Sequence, residues 1–441
     1  MASLRARATE IVKRLVEAGH EAFFAGGCVR DMLLGRDPQD YDIATSARPE
    51  QVRQLFDNTV PVGEQFGVVL VVLDDTHFEV ATFRTEGDYL DGRRPSEVAY
   101  AGAEEDVRRR DFTVNGLLYD PLHEQVTDYV GGRADLTAGV IRAIGPPRQR
   151  FAEDKLRLLR AVRLAANLDF EIESDTLAAV GAMAADIAVV SWERISEELL
   201  KLLTRPGAAR GLQMLHDTGL LKAILPEVER TVGLPQPPQF HPEGDVFTHT
   251  KLMLDMLDGP TPSLALGVLL HDVGKPDTYK VAQRIRFDSH TKVGAELAKS
   301  ICRRLRCGRD LTDRVVYLVA NHLRIKDAPR MRPSKLKRFL RDDGFDELLE
   351  LFRLDVLASH GDLSVHEFCQ QQKGEYSEEE IRPRPLLTGR DLIEMGYQPG
   401  PLFREILEAV EDAQLEGTIT TPAEARQLVA RRWKPEASAN G

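Results

Sequence analysis

The sequence predicts an α+β protein, with a small sheet-bearing unit at the N-terminus and a mostly helical remainder. Two observations lead there. Up to about residue 145, short β-like runs alternate with short helix-like ones. From about 150 onward the apolar spacing becomes helical. A third concerns chemistry: reactive side chains crowd into two stretches, one around residue 40 and one between 249 and 355. With 441 residues, 42% apolar and 29% charged, the chain has the composition of a globular protein of about two to four domains. It has no apolar run long enough to span a membrane, and its first residues lack the apolar core of a signal peptide. Four sparse cysteines fit a reducing, cytoplasmic setting; Cys302 and Cys307 could pair, but free thiols are the expectation. The net charge of −12 excludes a surface coated in positive charge, though not a local basic patch.

Residues 4–18 keep a helical spacing through Leu4, Ile11, Leu15 and Val16. Ala22 to Ala25 reads as a strand, followed by Gly26 and Gly27, then a helix from Cys28 to Leu34 stopped by Gly35 and Pro38. Asp40 to Ala44 reads as the next strand. On a strand, residues i and i+2 share a face, so Asp40 and Asp42 lie side by side. Paired carboxylates repel and call for a cation, and hard oxygen ligands suit Mg²⁺. The two glycines permit close backbone approach, and the helix start offers N–H groups to an anion. A phosphate site next to a Mg²⁺ site suggests phosphoryl or nucleotidyl transfer. Pro49 to Phe56 is a short helix; Gly67 to Leu73 and Phe78 to Phe83 are strands around the turn DDTH. Glu79, on the second of these, is either a third carboxylate of the site or an exposed strand residue. Gly87 to Pro95 has turn residues and no periodicity, and reads as a mobile loop.

The run Gly26, Gly27, Val29, Arg30, Asp31, Leu33, Leu34, Gly35, Pro38, Asp40, Asp42 closely resembles the signature of the class II nucleotidyltransferases, the group of CCA-adding tRNA enzymes and bacterial poly(A) polymerases. The resemblance implies a polymerase-beta-like palm, with Asp40 and Asp42 holding catalytic Mg²⁺ and Gly27 and Arg30 gripping a nucleoside triphosphate. It extends to RRDFTVNG, where Gly116 stands in place of the family's Ala. There it implies that Arg110 contacts the nucleotide and Asp111 its ribose. It also continues through Gly131, Gly132, Asp135 and Leu136. The 87–95 loop matches one that relatives need for the terminal A.

Further on, Asp154, Arg157, Arg160 and Arg163 follow one another at steps of three. On one helix such spacing lets all four share a face. Leucines and a valine cover most other faces, so these charges would need partners. The resemblance implies a nucleotide-binding stretch in which Asp154 and Arg157 read the edges of C and A. SWERISEELLKLL (191–203) resembles the family's supporting helix, with Ser191 placed as its N-cap. The Pro- and Gly-rich stretch 234–245 reads as a linker or domain edge.

After it come His249, then His271 and Asp272 at the end of an apolar run, His290, His322 and Asp355. This series resembles the HD phosphohydrolase superfamily. The resemblance implies a metal shell of His249, His271, Asp272 and Asp355, with His290 and His322 where two-metal members have further ligands. Imidazole with carboxylate suits a transition metal such as Mn²⁺, Co²⁺ or Ni²⁺. The tail, 386–429, reads as two or three short helices; in the family this region holds tRNA.

The expected organisation is a palm at 1–145, a helical neck at 146–225, an HD body at 226–375 and a tail at 376–441. The expected activity is template-independent CCA addition to tRNA from CTP and ATP. Two rivals stand within the class: addition of A alone, and poly(A) synthesis. The stretch 59–72 resembles CCA- and A-adding members rather than poly(A) polymerases. A rival of another class is an HD phosphohydrolase with an inactive transferase half.

Overall fold

The computed structural model describes residues 3–60, 67–86, 98–239, 241–281 and 285–434. Its described residues contain no helix long and apolar enough to cross a membrane. The four cysteines are free. The chain forms two compact units. The first comprises 1–230 with 257–265 and 301–307, and the second comprises 231–256, 266–300 and 308–441.

The first unit is organised by strand pairing. Strands β1 (Ala22–Ala25), β2 (Asp42–Thr45), β3 (Thr59–Val60), β4 (Val68–Leu73) and β5 (Thr76–Thr82) precede a small ribbon of β6 (Arg84–Glu86) and β7 (Val98–Tyr100). Strands β8 (Leu117–Asp120) and β9 (Gln125–Asp128) complete a seven-stranded sheet in the order β3-β4-β5-β2-β1-β8-β9. Only the β2–β5 pair of that sheet is parallel. Helix α1 (Leu4–Glu17) buries Ala8, Ile11, Val12 and Leu15, which recur at helical spacing. Helices α2 (Gly27–Leu33) and α3 (Pro49–Leu55) sit where the sequence puts them.

The β6–β7 ribbon is not foreseen, because three-residue strands carry too little alternation to read. The loop 87–95 and part of the 59–72 stretch lie outside the described residues. Strand β2 begins at Asp42, so Asp40 belongs to the lead-in rather than to the strand as expected. Pro38, close before it, cannot donate to a ladder, and Asp is a poor strand former.

After α4 (Ala103–Arg108) and α5 (Gly132–Ala138), the first unit turns helical. Helices α6 (Pro147–Glu153) and α7 (Leu156–Leu168) are separate, and Asp154 caps the first with extended backbone (φ −140°, ψ 107°). The expectation of one helix carrying Asp154, Arg157, Arg160 and Arg163 is therefore corrected. The carboxylate of Asp154 accepts from the Leu156 N–H at 3.0 Å, a local bond that competes with helix continuation. Helices α8 (Ser174–Met183) and α9 (Trp192–Leu203) follow. Ser191 does hold the N-cap position of α9, though its hydroxyl makes no cap bond.

Among its described residues, the second unit is helical apart from a ribbon pairing Tyr279–Val281 with Ile285–Phe287. Its tail carries helices Gly389–Glu394, Pro401–Leu415 and Pro422–Arg432 around Leu392, Ile406, Val410 and Val429.

Candidate functional site

The register of the sheet builds the first site. Ala25, the last residue of β1, pairs with Asp42, the first of β2, which sets that carboxylate beside Gly26. Gly26 has φ +74°, a conformation that penalises a side chain. A Cβ there would lie 3.2 Å from Arg110 Nη1 and 3.9 Å from Asp42 Oδ2. In the parallel β2–β5 pair, Ile43 faces Val80, so Glu79 stands level with Asp42 on the next strand. Glu79 and Asp42 are both exposed.

The resulting field is negative. Partial desolvation, then Asp40, then Glu79 push Asp42 up to about 6, with Arg110 opposing. The buried Cys28 thiol is pushed up to about 12, by burial first and Asp42 next. A divalent cation relieves such a field, and the donor set of carboxylate oxygens suits Mg²⁺.

Arg110 is not loose. Its Nε and Nη2 donate to Asp106 Oδ2 at 3.3 and 2.9 Å, while Arg109 takes Oδ1 at 2.9 and 2.7 Å. Burial works to raise Asp106, but the two guanidinium groups hold it below its usual range. Asp106 is a residue the sequence gives no reason to single out. Arg30 is buried and donates to Asp31 Oδ1 at 2.8 Å and Asn115 Oδ1 at 2.7 Å. Gly27 lies 3.7 Å from Arg30 Nη2, measured from the Cβ it lacks.

The remaining expected residues form an interior network. Asp111 accepts from Phe112 N–H (2.8 Å), Asn115 Nδ2 (3.2 Å), Arg160 Nε (2.8 Å) and Arg160 Nη2 (2.5 Å). These fill the four acceptor positions of a carboxylate. Burial opposes ionisation of Asp111, and Arg160 overcomes it, holding the group far below its usual range. Arg160 also reaches Glu198 at 3.3 Å, and Arg163 pairs with the same carboxylate. Arg157 donates to Glu153 at 2.8 Å and to the backbone carbonyls of Arg150 and Arg109 at 2.9 and 3.0 Å. Asp154 pairs with Arg194, at 2.6 and 3.2 Å. The network thus needs Glu153, Arg194 and Glu198 as well. The apolar neighbours of α7 signal that its charges must be paired, but spacing does not say with which groups.

The second site lies wholly in the second unit. Its residues come from far apart in sequence, yet the structure brings together all six that were expected. The ligand atoms of His249, His271 and Asp355 lie within 4.8 Å of one another, as do those of Asp272, His290 and His322. His249 Nε2 is 3.2 Å from Asp355 Oδ1, and His271 Nε2 is 3.1 Å from Asp272 Oδ2. His290 Nε2 and His322 Nε2 stand 3.4 Å apart.

The Nδ1 atoms of His271, His290 and His322 bond the carbonyls of Val268, Phe287 and Val319 at 2.8, 2.8 and 2.9 Å. That leaves each Nε2 facing inward with a lone pair, the arrangement metal-binding imidazoles require. Nε2 of His249 and of His271 is buried with no hydrogen bond among the described residues. His322 is pushed down to about 3, by burial first and His271 next, so it is neutral. Donor type, burial and orientation all fit a transition metal.

Gly274 permits the convergence. A Cβ there would sit 2.2 Å from the His290 carbonyl oxygen and 2.6 Å from Gly294 N. Beside the cluster is a cavity of about 690 Å³, lined among others by Lys275, Arg286, Phe287, Lys326 and His360. The supposed linker 234–245 contributes too, since Glu243 Oε1 lies 2.7 Å from His249 Nδ1.

Comparison with known proteins matches residues 22–142 to the poly A polymerase head domain, 169–231 to the probable RNA and SrmB-binding site of polymerase A, and 246–354 to the HD domain. The chain is 33% identical to the CCA-adding enzyme of Ligilactobacillus salivarius over 425 residues, covering 95% of this chain and 94% of that protein. It is 46% identical to the CCA-adding enzyme of Geobacillus thermodenitrificans over 215 residues, a match spanning about half of that relative (53%). The crystal structure of the Bacillus stearothermophilus CCA-adding enzyme in complex with CTP superposes with a TM-score of 0.77, at 27% identity and with 98% of each chain covered.

Proposed function

This chain belongs to the family of CCA-adding enzymes, and from that premise we propose that it adds C, C and A to tRNA 3′ ends, using CTP and ATP. It is a nucleotidyltransferase. The observation that carries the finer reading is the Ala25–Asp42 register, which sets a carboxylate beside Gly26 with Arg110 next to it. Asp40 and Asp42 would hold Mg²⁺, which when bound activates the RNA 3′-hydroxyl and offsets the charge of the leaving pyrophosphate.

Gly27, Arg30 and Arg110 would receive the triphosphate, and Asp154 and Arg157 the base edge. Arg160 and Arg163 would keep that pocket in shape through Asp111 and Glu198. A ribose hydroxyl reaches Asp111 only by displacing one of the bonds that fill it. We assign the palm to 1–145, the neck to 146–225, the HD body to 226–375 and the tRNA-holding tail to 376–441.

The test is incubation with tRNA lacking CCA, tRNA ending in CC, and each labelled nucleotide in turn. The reading expects two C and one A on the first substrate, and one A on the second. Addition of A alone to CC ends, or a run of A, selects a rival within the class.

The cluster in the second unit favours a second activity beside the first. His249, His271, Asp272 and Asp355, extended by His290 and His322, would hold Mn²⁺, Co²⁺ or Ni²⁺. Such an ion lowers the pKa of a bound water. On the cavity lining, Arg286 and Lys326 offer cations to a phosphate ester, while Lys275 pairs with Asp272 at 2.5 Å. The expected reaction is hydrolysis of a phosphomonoester or a 2′,3′-cyclic phosphate.

A further inference from the structure

We propose that Glu243 is a positioning residue of the second centre, fixing His249 in the tautomer that presents Nε2 to a bound transition metal. The inference rests on reading that cluster as a metal site.

His249 is treated differently from its neighbours. Three of the other imidazoles, His271, His290 and His322, give Nδ1 to a backbone carbonyl. His249 alone among the six expected ligands gives it to a carboxylate, Glu243 Oε1, at 2.7 Å. An ionised carboxylate only accepts, so a proton sits on Nδ1, which leaves Nε2 as the ring nitrogen a metal can take. Nε2 is the atom 3.2 Å from Asp355 Oδ1, on the side of the proposed ligands. A negative partner also makes the imidazole a stronger donor than a neutral carbonyl does.

The contact is built in. The Glu243 side chain is 6% exposed and that of His249 is 0% exposed. Glu243 Oε2 is buried with no hydrogen bond among the described residues. Burying a carboxylate at that cost is an odd choice for a turn whose only task is to connect. The turn is anchored at its far end, where Asp245 bridges to Pro235 and caps the helix Val246–Asp255 through the Thr248 N–H at 2.8 Å. Glu243 Oε1 also meets His241 Nδ1 at 2.8 Å, so one oxygen holds two imidazoles.

A competing arrangement is visible in the same atoms. His241, Glu243 and His249 offer ligand atoms within 4.8 Å of one another, so Glu243 could itself be a ligand. The experiment separates the two. The full-length protein, stripped of metal, is titrated calorimetrically with Ni²⁺ or Mn²⁺, as wild type and as Glu243→Gln, Glu243→Asp and His241→Ala. Loss of a carboxylate behind a metal-binding histidine typically weakens affinity by about 10–100-fold, and that is expected of Glu243→Gln with stoichiometry unchanged. Glu243→Asp, which keeps the charge, should recover part of the loss, which a merely misfolded site would not. His241→Ala should stay within about threefold of wild type, because it leaves the Glu243–His249 bond in place. Wild-type affinity in Glu243→Gln overturns the proposal. So does a lost equivalent of metal in both Glu243→Gln and His241→Ala, which would make Glu243 a ligand. A wild type that binds no transition metal overturns the metal-site reading itself, and the proposal with it.

Discussion

The two candidate centres are built on opposite plans. The palm site is open and made of carboxylates, with Asp42 and Glu79 exposed on neighbouring strands and one fixed cation, Arg110, beside them. The HD site is buried and made mainly of imidazoles, three of them oriented by backbone carbonyls. The first plan leaves negative charge of the kind that suits a hard cation. The second offers imidazole nitrogens of the kind that suits a softer ion. The contrast teaches that the two candidate sites differ in the exposure of their side chains as much as in ligand type.

The largest expected effect is at the palm. Asp42→Ala should lower nucleotide addition by at least about 10³-fold, about 4 kcal/mol of barrier, while tRNA binding in a gel-shift assay persists. Near-normal addition would break the contrast at its root. Glu198→Ala tests whether the network behind the palm is scaffold rather than site. It strands Arg163 and loosens Arg160, so a stability loss of about 3–5 kcal/mol is expected from denaturant unfolding. An unchanged midpoint would show that the buried pairing contributes nothing.

Arg157→Ala should raise misincorporation of U and G relative to C and A by on the order of 10²-fold. An equal fall for all four nucleotides, with selectivity intact, would assign Arg157 to scaffold alone. The smallest effect concerns pH. Arg160 holds Asp111 far below the usual carboxylate range. A depressed group contributes stability that is complete above its unfolded pKa and is lost as pH falls toward the folded value. The stability gap between wild type and Asp111→Asn should therefore be flat from pH 7 to about 4.5 and narrow below about 4. A gap that widens in acid would contradict the assignment.

How much of this was legible depended on distance along the chain. The palm motif lies within a few turns of chain, from Gly26 to Asp42, and the strand–Gly–Gly–helix order was readable. Asp40 was misplaced by its two-residue spacing from Asp42, since i, i+2 is also what an extended lead-in gives. The six HD residues were readable as types in order, and their convergence was expected only through the family resemblance, since the Gly274 backbone approach that permits it leaves no periodicity. The four-charge helix was read as continuous because a step of three survives a break at Asp154. Asp106, Arg194 and Glu198 were not singled out for chemistry, and Glu243 hid in a stretch that reads as a linker. A partner's identity is a tertiary fact, and single-sequence spacing does not encode it.

The central claim is that one chain holds two independent centres. The most direct measurement runs both reactions on the same preparations of wild type, Asp42→Ala, and His271→Ala combined with Asp272→Ala. Nucleotide addition is followed with tRNA lacking CCA, and hydrolysis with a phosphomonoester and a 2′,3′-cyclic phosphate in added Ni²⁺, Co²⁺ or Mn²⁺. The account predicts that Asp42→Ala loses addition and keeps hydrolysis, while the double variant loses hydrolysis and keeps addition within about twofold. Loss of both reactions in either variant, or no hydrolysis by wild type with any of the three metals, would contradict it.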